Sequence, residues 1–406
     1  MSRRAWLVLG GLLVAVVVLV VVLVSGSDTP TVTVTVPTVS LQSPPAPSST
    51  TTPALATGVL AMGNLSDPAN TFYELFDRPA GASDWTLATP PGVADNGGLV
   101  VGPSASGALT AGFLPAADLT FSVLASRAAG STQWTPGDVP GTLAAEPDAL
   151  AAGPSGQTAA VLSGNDSPVE AQASGASSWH RVATAGDLAG VHGGCPVTRI
   201  TSVAVTASGA PVVGAHCTGP QVGIFVPRDA SAGVTPDLDA PDRGWSRAGS
   251  TLGAPGVTAT TVLRLQAEGA GIAGLVEGSG SADSSIVGVW GASATAVIAQ
   301  SSPLTVQSGW AVRATATGGS GGLGVAVLLG TASARGLRLA GVAGPGQPWV
   351  SYATPPSGTT AVALVGDEVD AFVPAGSTLH VWAATGTGPW RQVDQLTVPI
   401  QYGSSS

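Results

Sequence analysis

Three arginines stand inside otherwise apolar runs: Arg199 in VTRITSVAV, Arg264 in TVLRLQA and Arg313 in WAVRATA. A guanidinium offers five N–H donors in a planar fork that suits carboxylate and phosphate oxygens. If the three strands line one space, the arginines converge there and hold an anionic group. The competing role is structural, with each arginine paired to a local carboxylate such as Glu268, Asp367 or Glu368. A second cluster is His192, Cys195, His216 and Cys217. Four nitrogen and sulfur ligands could suit zinc. His216 and Cys217, however, are adjacent on a strand and point to opposite faces. In an oxidising compartment two neighbouring cysteines form a disulfide. A Cys195–Cys217 bridge is therefore expected, and no metal site. A third group, Asp237, Asp239 and Asp242 in TPDLDAPDRGW, lacks the glycine and terminal glutamate of a calcium loop and reads as a solvated acidic insertion. No nucleophile motif, phosphate loop or metal-ligand spacing occurs, so no catalytic residue and no cofactor is assigned.

Charge narrows the partners. The chain has 406 residues, 14 basic against 24 acidic, and a formal net charge of −10. All the basic residues are arginine. Nucleic-acid binders carry a basic stripe for the phosphate backbone, and none is visible, so nucleic acid is set aside.

The N-terminus speaks to placement. Arg3 and Arg4 precede an apolar run from Ala5 to Val24. At 1.5 Å per residue such a run reaches about 30 Å, the hydrocarbon thickness of a bilayer. The arginines put the N-terminus on the cytoplasmic side. A cleaved signal peptide, with Ser25 and Ser27 at its cleavage site, is the competing reading; its apolar region should be shorter. The expected layout is a cytoplasmic stub at 1–4, a transmembrane signal anchor at 5–24, a disordered Pro/Thr/Ser-rich linker at 25–56 and a folded domain at 57–402, outside the cytoplasm.

What would position the arginines and cysteines is a repeat. Small-residue turns lead into a tryptophan in RPAGASDW, SRAAGSTQW, ASGASSW, APDRGW, AGPGQPW and TGTGPW. The tryptophans are Trp85, Trp134, Trp179, Trp245, Trp349 and Trp390, and Thr295 takes the place in one further copy. Copies recur every 41 to 66 residues, a period that points to a repeat architecture. Within a copy, four short valine-rich runs alternate with Gly/Ser/Pro/Asp turns, which reads as a four-stranded meander. Seven copies predict an all-β, seven-bladed β-propeller preceded by one transmembrane helix, with the tryptophan wedged between blades. No helix is expected beyond the anchor. Arg78, Arg127 and Arg228 each follow a third strand and read as rim residues. The first copy is short of an inner strand, and residues 396–401 are expected to supply it and close the ring.

The turn and its tryptophan resemble the BNR or Asp-box repeat of sialidase-like propellers. "PDRGW", with Asp242 and Gly244, comes nearest, while the aspartate and glycine are kept together in no copy. The resemblance implies the architecture over residues 57–402 and no activity. Sialidase chemistry needs a tyrosine and a glutamate at the channel; Tyr73 and Glu74 fall on a third strand instead. The expected function is a non-catalytic binding or scaffolding module for an envelope protein or glycan. The alternative is a drifted sialidase-like glycoside hydrolase.

Overall fold

The structure is a computed structural model. It describes residues 56–398 apart from 64–70, 79–81, 94–98, 105, 114–122, 138–146, 165, 229–243, 250, 255, 269–270, 281–282, 292–297, 319–323 and 332–335. The expected anchor and nearly all of the linker, Thr295, and the acidic group Asp237, Asp239 and Asp242 lie outside the described residues. Among those described, no helix is long and apolar enough to cross a membrane.

The chain runs as successive antiparallel meanders. The first sheet holds β1 (Ala56–Gly63), β2 (Thr71–Arg78) and β3 (Thr86–Leu87). The second holds β4 (Leu99–Pro103), β5 (Leu109–Phe113), β6 (Leu124–Arg127) and β7 (Thr135–Pro136). The third holds β8 (Ala149–Ala152), β9 (Thr158–Val161), β10 (Val169–Gln172) and β11 (Trp179–Ala183).

A nine-stranded sheet follows. Its first meander is β12 (Val197–Val205), β13 (Pro211–Thr218), β14 (Gly223–Pro227) and β15 (Trp245–Arg247). Its second is β16 (Val257–Glu268), β17 (Gly271–Gly280), β18 (Ser284–Gly291), β19 (Ala299–Gln300) and β20 (Leu304–Val306). They join where His216, Cys217 and Thr218 pair with Thr261, Thr260 and Ala259. Two four-stranded sheets complete the domain. One is β21 (Trp310–Thr317), β22 (Val325–Thr331), β23 (Leu337–Val342) and β24 (Val350–Ser351). The other is β25 (Ala361–Val365), β26 (Glu368–Ala375), β27 (Thr378–Thr385) and β28 (Arg391–Thr397). The architecture is all-β and propeller-like.

One short helix, α1 (Ala185–Ala189), departs from the strand-only expectation. Its cause is local. Thr184 caps the Asp187 amide while the Asp187 carboxylate accepts from the Thr184 amide, a reciprocal box that satisfies free donors at the helix start.

The core lies between sheets. Ala151, Val161 and Val182 of the third sheet pack on Val203, Phe225 and Trp245 of the next meander. Phe76 and Trp85 of the first sheet pack on Phe372, Leu379 and Val381 of the last. Trp85 meets the Phe372 ring edge-on at 4.8 Å between centroids, and Phe76 stacks on it at 6.3 Å. First strands approach closely: a Cβ on Gly102 would stand 2.6 Å from the Ala151 Cα, so β4 and β8 come together only because that residue is glycine.

The expected closing strand is corrected. Leu396 and Thr397 pair with Leu379 and Thr378 inside the last sheet, and the Val398 amide donates to the Ser377 carbonyl. Val393 and Leu396 of β28 pack against the cluster of Phe372, Leu379 and Val381, which holds the strand on its own hairpin partner. Residues 399–401 lie outside the described residues.

Candidate functional site

The repeated phrase resolves into two parts, a turn and a latch. In SRAAGSTQW and ASGASSW the Ser131 and Ala176 amides donate to the Ala128 and Ala173 carbonyls, closing β-turns. Their third residues, Gly130 and Gly175, have φ of 72° and 71°. A Cβ at either would meet nothing within 4 Å, so backbone conformation, not space, demands glycine. The tryptophan after the turn then reaches the preceding sheet. Trp134 Nε1 donates to the Ala88 carbonyl (3.0 Å), Trp245 to Val182 (3.1 Å), Trp349 to Ser302 (2.8 Å) and Trp390 to Ala353 (3.0 Å). Trp85 and Trp245 are fully buried; Trp134, Trp179, Trp349 and Trp390 are half-buried.

Two of the expected rim arginines do the same work with charge. Arg127, at the end of β6, forms an ion pair with buried Asp77 on β2. Arg78, at the end of β2, reaches Asp370 on β26 at 3.1 Å and Glu368 at 3.8 Å. Asp370 is wholly buried and also takes the Trp85 indole N–H at 2.7 Å. Its Oδ1 has no hydrogen-bond partner. Burial first, then neighbouring Glu368, raises the Asp370 carboxyl to about 6, against the pull of the Trp85 N–H and of Arg78. Arg228 instead donates to the Trp245 carbonyl of its own meander.

Between the first and second sheets these turns frame a groove of about 720 Å³. Asp77 and Arg127 form its floor, with Thr86 Oγ1 donating to Asp77 Oδ1 at 2.6 Å. Arg127 also lies over the Trp134 ring, 5.4 Å from its centroid. Asp84, Ser106, Ser131 and Thr132 add hydroxyl and carboxylate groups. Leu87, 39% exposed, adds an apolar patch. The lining offers hydrogen bonds and one greasy contact, with the Asp77 carboxylate already occupied. Beside it, burial pushes the Glu74 carboxyl up while Thr89 Oγ1 donates to it.

The three channel arginines are placed differently. A smaller space of about 220 Å³ is lined by β4, β8, β12, β16 and Thr315 of β21, and Arg264 is the only one of the three that lines it. Arg264 donates to the Thr315 carbonyl at 3.2 Å, and burial lowers its pKa. Arg313 is exposed and donates to the Thr331 carbonyl at 2.7 Å; Arg199 is exposed on β12. All three stand at a skip in the ladder: between Val197 and Arg199 in β12–β13, between Val262 and Arg264 in β16–β17, and between Val312 and Ala314 in β21–β22. A bulge breaks strict alternation and re-aims side chains. No ion pair joins the three arginines to Glu268, Asp367 or Glu368 among the described residues; Glu368 binds Arg78 and Arg391 instead.

Cys195 and Cys217 form the expected disulfide, with Cα atoms 5.7 Å apart, tying the start of β12 to the end of β13. His192 is exposed and His216 bonds Thr261 Oγ1 at 2.7 Å. Among the described residues no group of three or more His, Cys, Asp or Glu is placed to hold a metal.

Sequence reasoning missed Asp370 and Ser202. The signal for Asp370 was present: an aspartate inside the apolar run EVDAFVP, where a buried charge needs a partner.

No protein-family model matches the chain, and no curated protein sequence matches it. Some solved structures are similar at low identity. A Bacteroides fragilis protein assigned as a 6-phosphogluconolactonase is 12% identical, covering 87% of this chain and 97% of its own, with a TM-score of 0.46. The YCF48 protein bound to D1 peptide is 11% identical, covering 89% and 99%, with a TM-score of 0.38. A Hadza microbial sialidase is 8% identical, covering 80% and 66%, with a TM-score of 0.31. At these scores none of them bears on what this chain does.

Proposed function

We propose that this chain is a membrane-anchored, extracytoplasmic propeller of seven blades that serves as a non-catalytic binding or scaffolding module for an envelope protein or glycan. The count of seven takes the nine-stranded sheet as two blades. It is supported by core clusters that join the third sheet to the first meander of the nine-stranded sheet, the two meanders of that sheet to each other, and the last sheet to the first. The single-pass anchor rests on the arginine-flanked apolar run Ala5 to Val24. The Cys195–Cys217 bridge supports a location outside the cytosol, where disulfides persist.

The observation that carries the binding role is the groove between the first two sheets. It is roomy, lined by hydroxyls and an exposed leucine, and its deepest carboxylate is committed to Arg127 and Thr86. Such a lining suits recognition by hydrogen bonds and an apolar contact. An acid–base pair would need both groove carboxylates free, so the glycosidase alternative is disfavoured.

The test is retention of isolated envelope proteins and glycans by the full-length chain in detergent, beside a Leu87→Asp variant. A species held by the wild type and lost by the folded variant is expected. Identical retention by both removes the groove from the proposal. Protease added outside intact cells should degrade the propeller; full protection would place it inside.

A further inference from the structure

One wall of the groove is tied to a buried carboxyl of the last sheet. Ala82, Ser83, Asp84, Thr86 and Leu87 line the groove, while Trp85 among them turns the other way and is fully buried. Its indole N–H donates to Asp370 Oδ2 at 2.7 Å, and its amide donates to Asp394 Oδ2 of β28 at 2.9 Å. Arg78 completes the tie. Its Nε donates to the Ala82 carbonyl at 2.9 Å and its Nη1 to Asp370 Oδ2 at 3.1 Å. The contacts that hold this wall therefore converge on Asp370.

The hydrogen bonds to wholly buried Asp370 fall on Oδ2, and Oδ1 has no partner. Glu368 stands two residues away on β26, on the same face, and lies 3.8 Å from the same Arg78 nitrogen. Arg391 of β28 also pairs with Glu368. The neighbours of Asp370 on β25 and β27 are Ala363 and Ala383, so those strands bring no charge opposite it. With a proton on Oδ1 the corner is satisfied: the acid can donate to Glu368 while Oδ2 keeps Trp85 and Arg78. Without it, Oδ1 is a buried acceptor lacking a donor, and two carboxylates compete for one Arg78 nitrogen. Hydration of Oδ1 relieves both faults, and it requires Trp85 and Arg78 to draw back.

We propose that Asp370 makes the groove pH-dependent: its neutral acid holds the stretch Ala82–Leu87 against the last sheet and keeps the groove formed, and its carboxylate releases that wall. What the wall binds rests on the groove reading above; its release does not. The carboxyl sits near 6 against an ordinary 3.8, so the change falls in the mildly acid range and acid favours the formed groove. The device is local, because Thr86 and Leu87 pair with β2 while only Trp85 and Arg78 join this stretch to Asp370.

The test is backbone amide exchange of the full-length chain in detergent from about pH 4 to 8, corrected for the intrinsic pH dependence of exchange. Protection of Ala82–Leu87 should fall between about pH 4 and 6, by at most about a hundredfold, and stay level above. Thr158–Val161 in the third sheet should keep its protection; an equal fall in both segments means unfolding of the whole molecule and overturns a local release. Asp370→Asn keeps an acceptor for the indole and offers a donor to Glu368, so its protection should be flat with pH. A fall like that of the wild type overturns the proposal. If that variant does not fold, Glu368→Gln decides: loss of the neighbouring charge should move the fall to lower pH, and an unmoved fall overturns the assignment. A species that the groove retains should be held more tightly at about pH 5 than at about pH 7.5, and equally at both by Asp370→Asn. Retention at neither pH withdraws the binding reading, and the exchange result alone then decides the release.

Discussion

A single indole does two jobs in Trp134, Trp245, Trp349 and Trp390. Its ring packs beside the neighbouring sheet, and its N–H satisfies a carbonyl on the preceding sheet, as Trp245 does with Val182. The two jobs differ in weight with burial. Trp245→Ala should destabilise the protein by about 3–5 kcal/mol, because the ring is fully buried. Trp349→Ala should cost only about 1 kcal/mol, the value of a hydrogen bond on a half-buried ring. Urea unfolding of both variants checks the ordering; equal losses would mean that the latch bond, not the ring, carries the effect. The positions and type of these tryptophans were legible in the sequence, since turn and residue recur together. Their unequal burial was not, because it depends on what the neighbouring sheet presents.

Among the elements, the hairpin of β12 and β13 carries the most constraint. Cys195 and Cys217 close a segment with a sequence separation of 22, which holds β12 and all but the last residue of β13. Closing a loop of that length stabilises by about 3 kcal/mol in the chain-entropy view. A Cys195→Ser/Cys217→Ser double variant should therefore lose about 3 kcal/mol in urea unfolding, and the wild type should lose the same on reduction. A wild type indifferent to reductant would mean the bridge is absent. This pairing was readable from two cysteines flanking one predicted hairpin. The arginines on the same class of strand were not, for a reason visible at Val312 and Ala314: a bulge in the ladder adds one residue, and sequence periodicity does not announce it.

For the whole molecule, the seam between last and first sheets is the place where the architecture closes. It is built from polar contacts around a buried carboxylate: Trp85 and Arg78 on Asp370, and the Trp85 amide on Asp394 Oδ2 at 2.9 Å. The Asp370 carboxyl lies near 6 in the folded protein against an ordinary value of 3.8. The folded state thus holds more protons than the unfolded state between those values. Stability from this group is full below about 4, falls as pH rises to about 6, and is level above. Asp370→Asn keeps an acceptor for the indole and removes the titration. Urea midpoints measured from pH 4 to 7 should slope less in that variant than in the wild type; an unchanged slope would locate the titration elsewhere.

Local pattern alone determined the meanders, the turns, the tryptophan latch and the cysteine pair. Each of these rests on residues close in the chain, where alternation, glycine conformation and short spacing act directly. The tertiary structure decided the rest. Trp85 and Asp370 meet across 285 residues of sequence, and Arg264 lines the smaller cavity while Arg199 and Arg313 stand exposed. Contacts of that kind depend on how sheets pack round the ring, and no run of neighbouring residues encodes them.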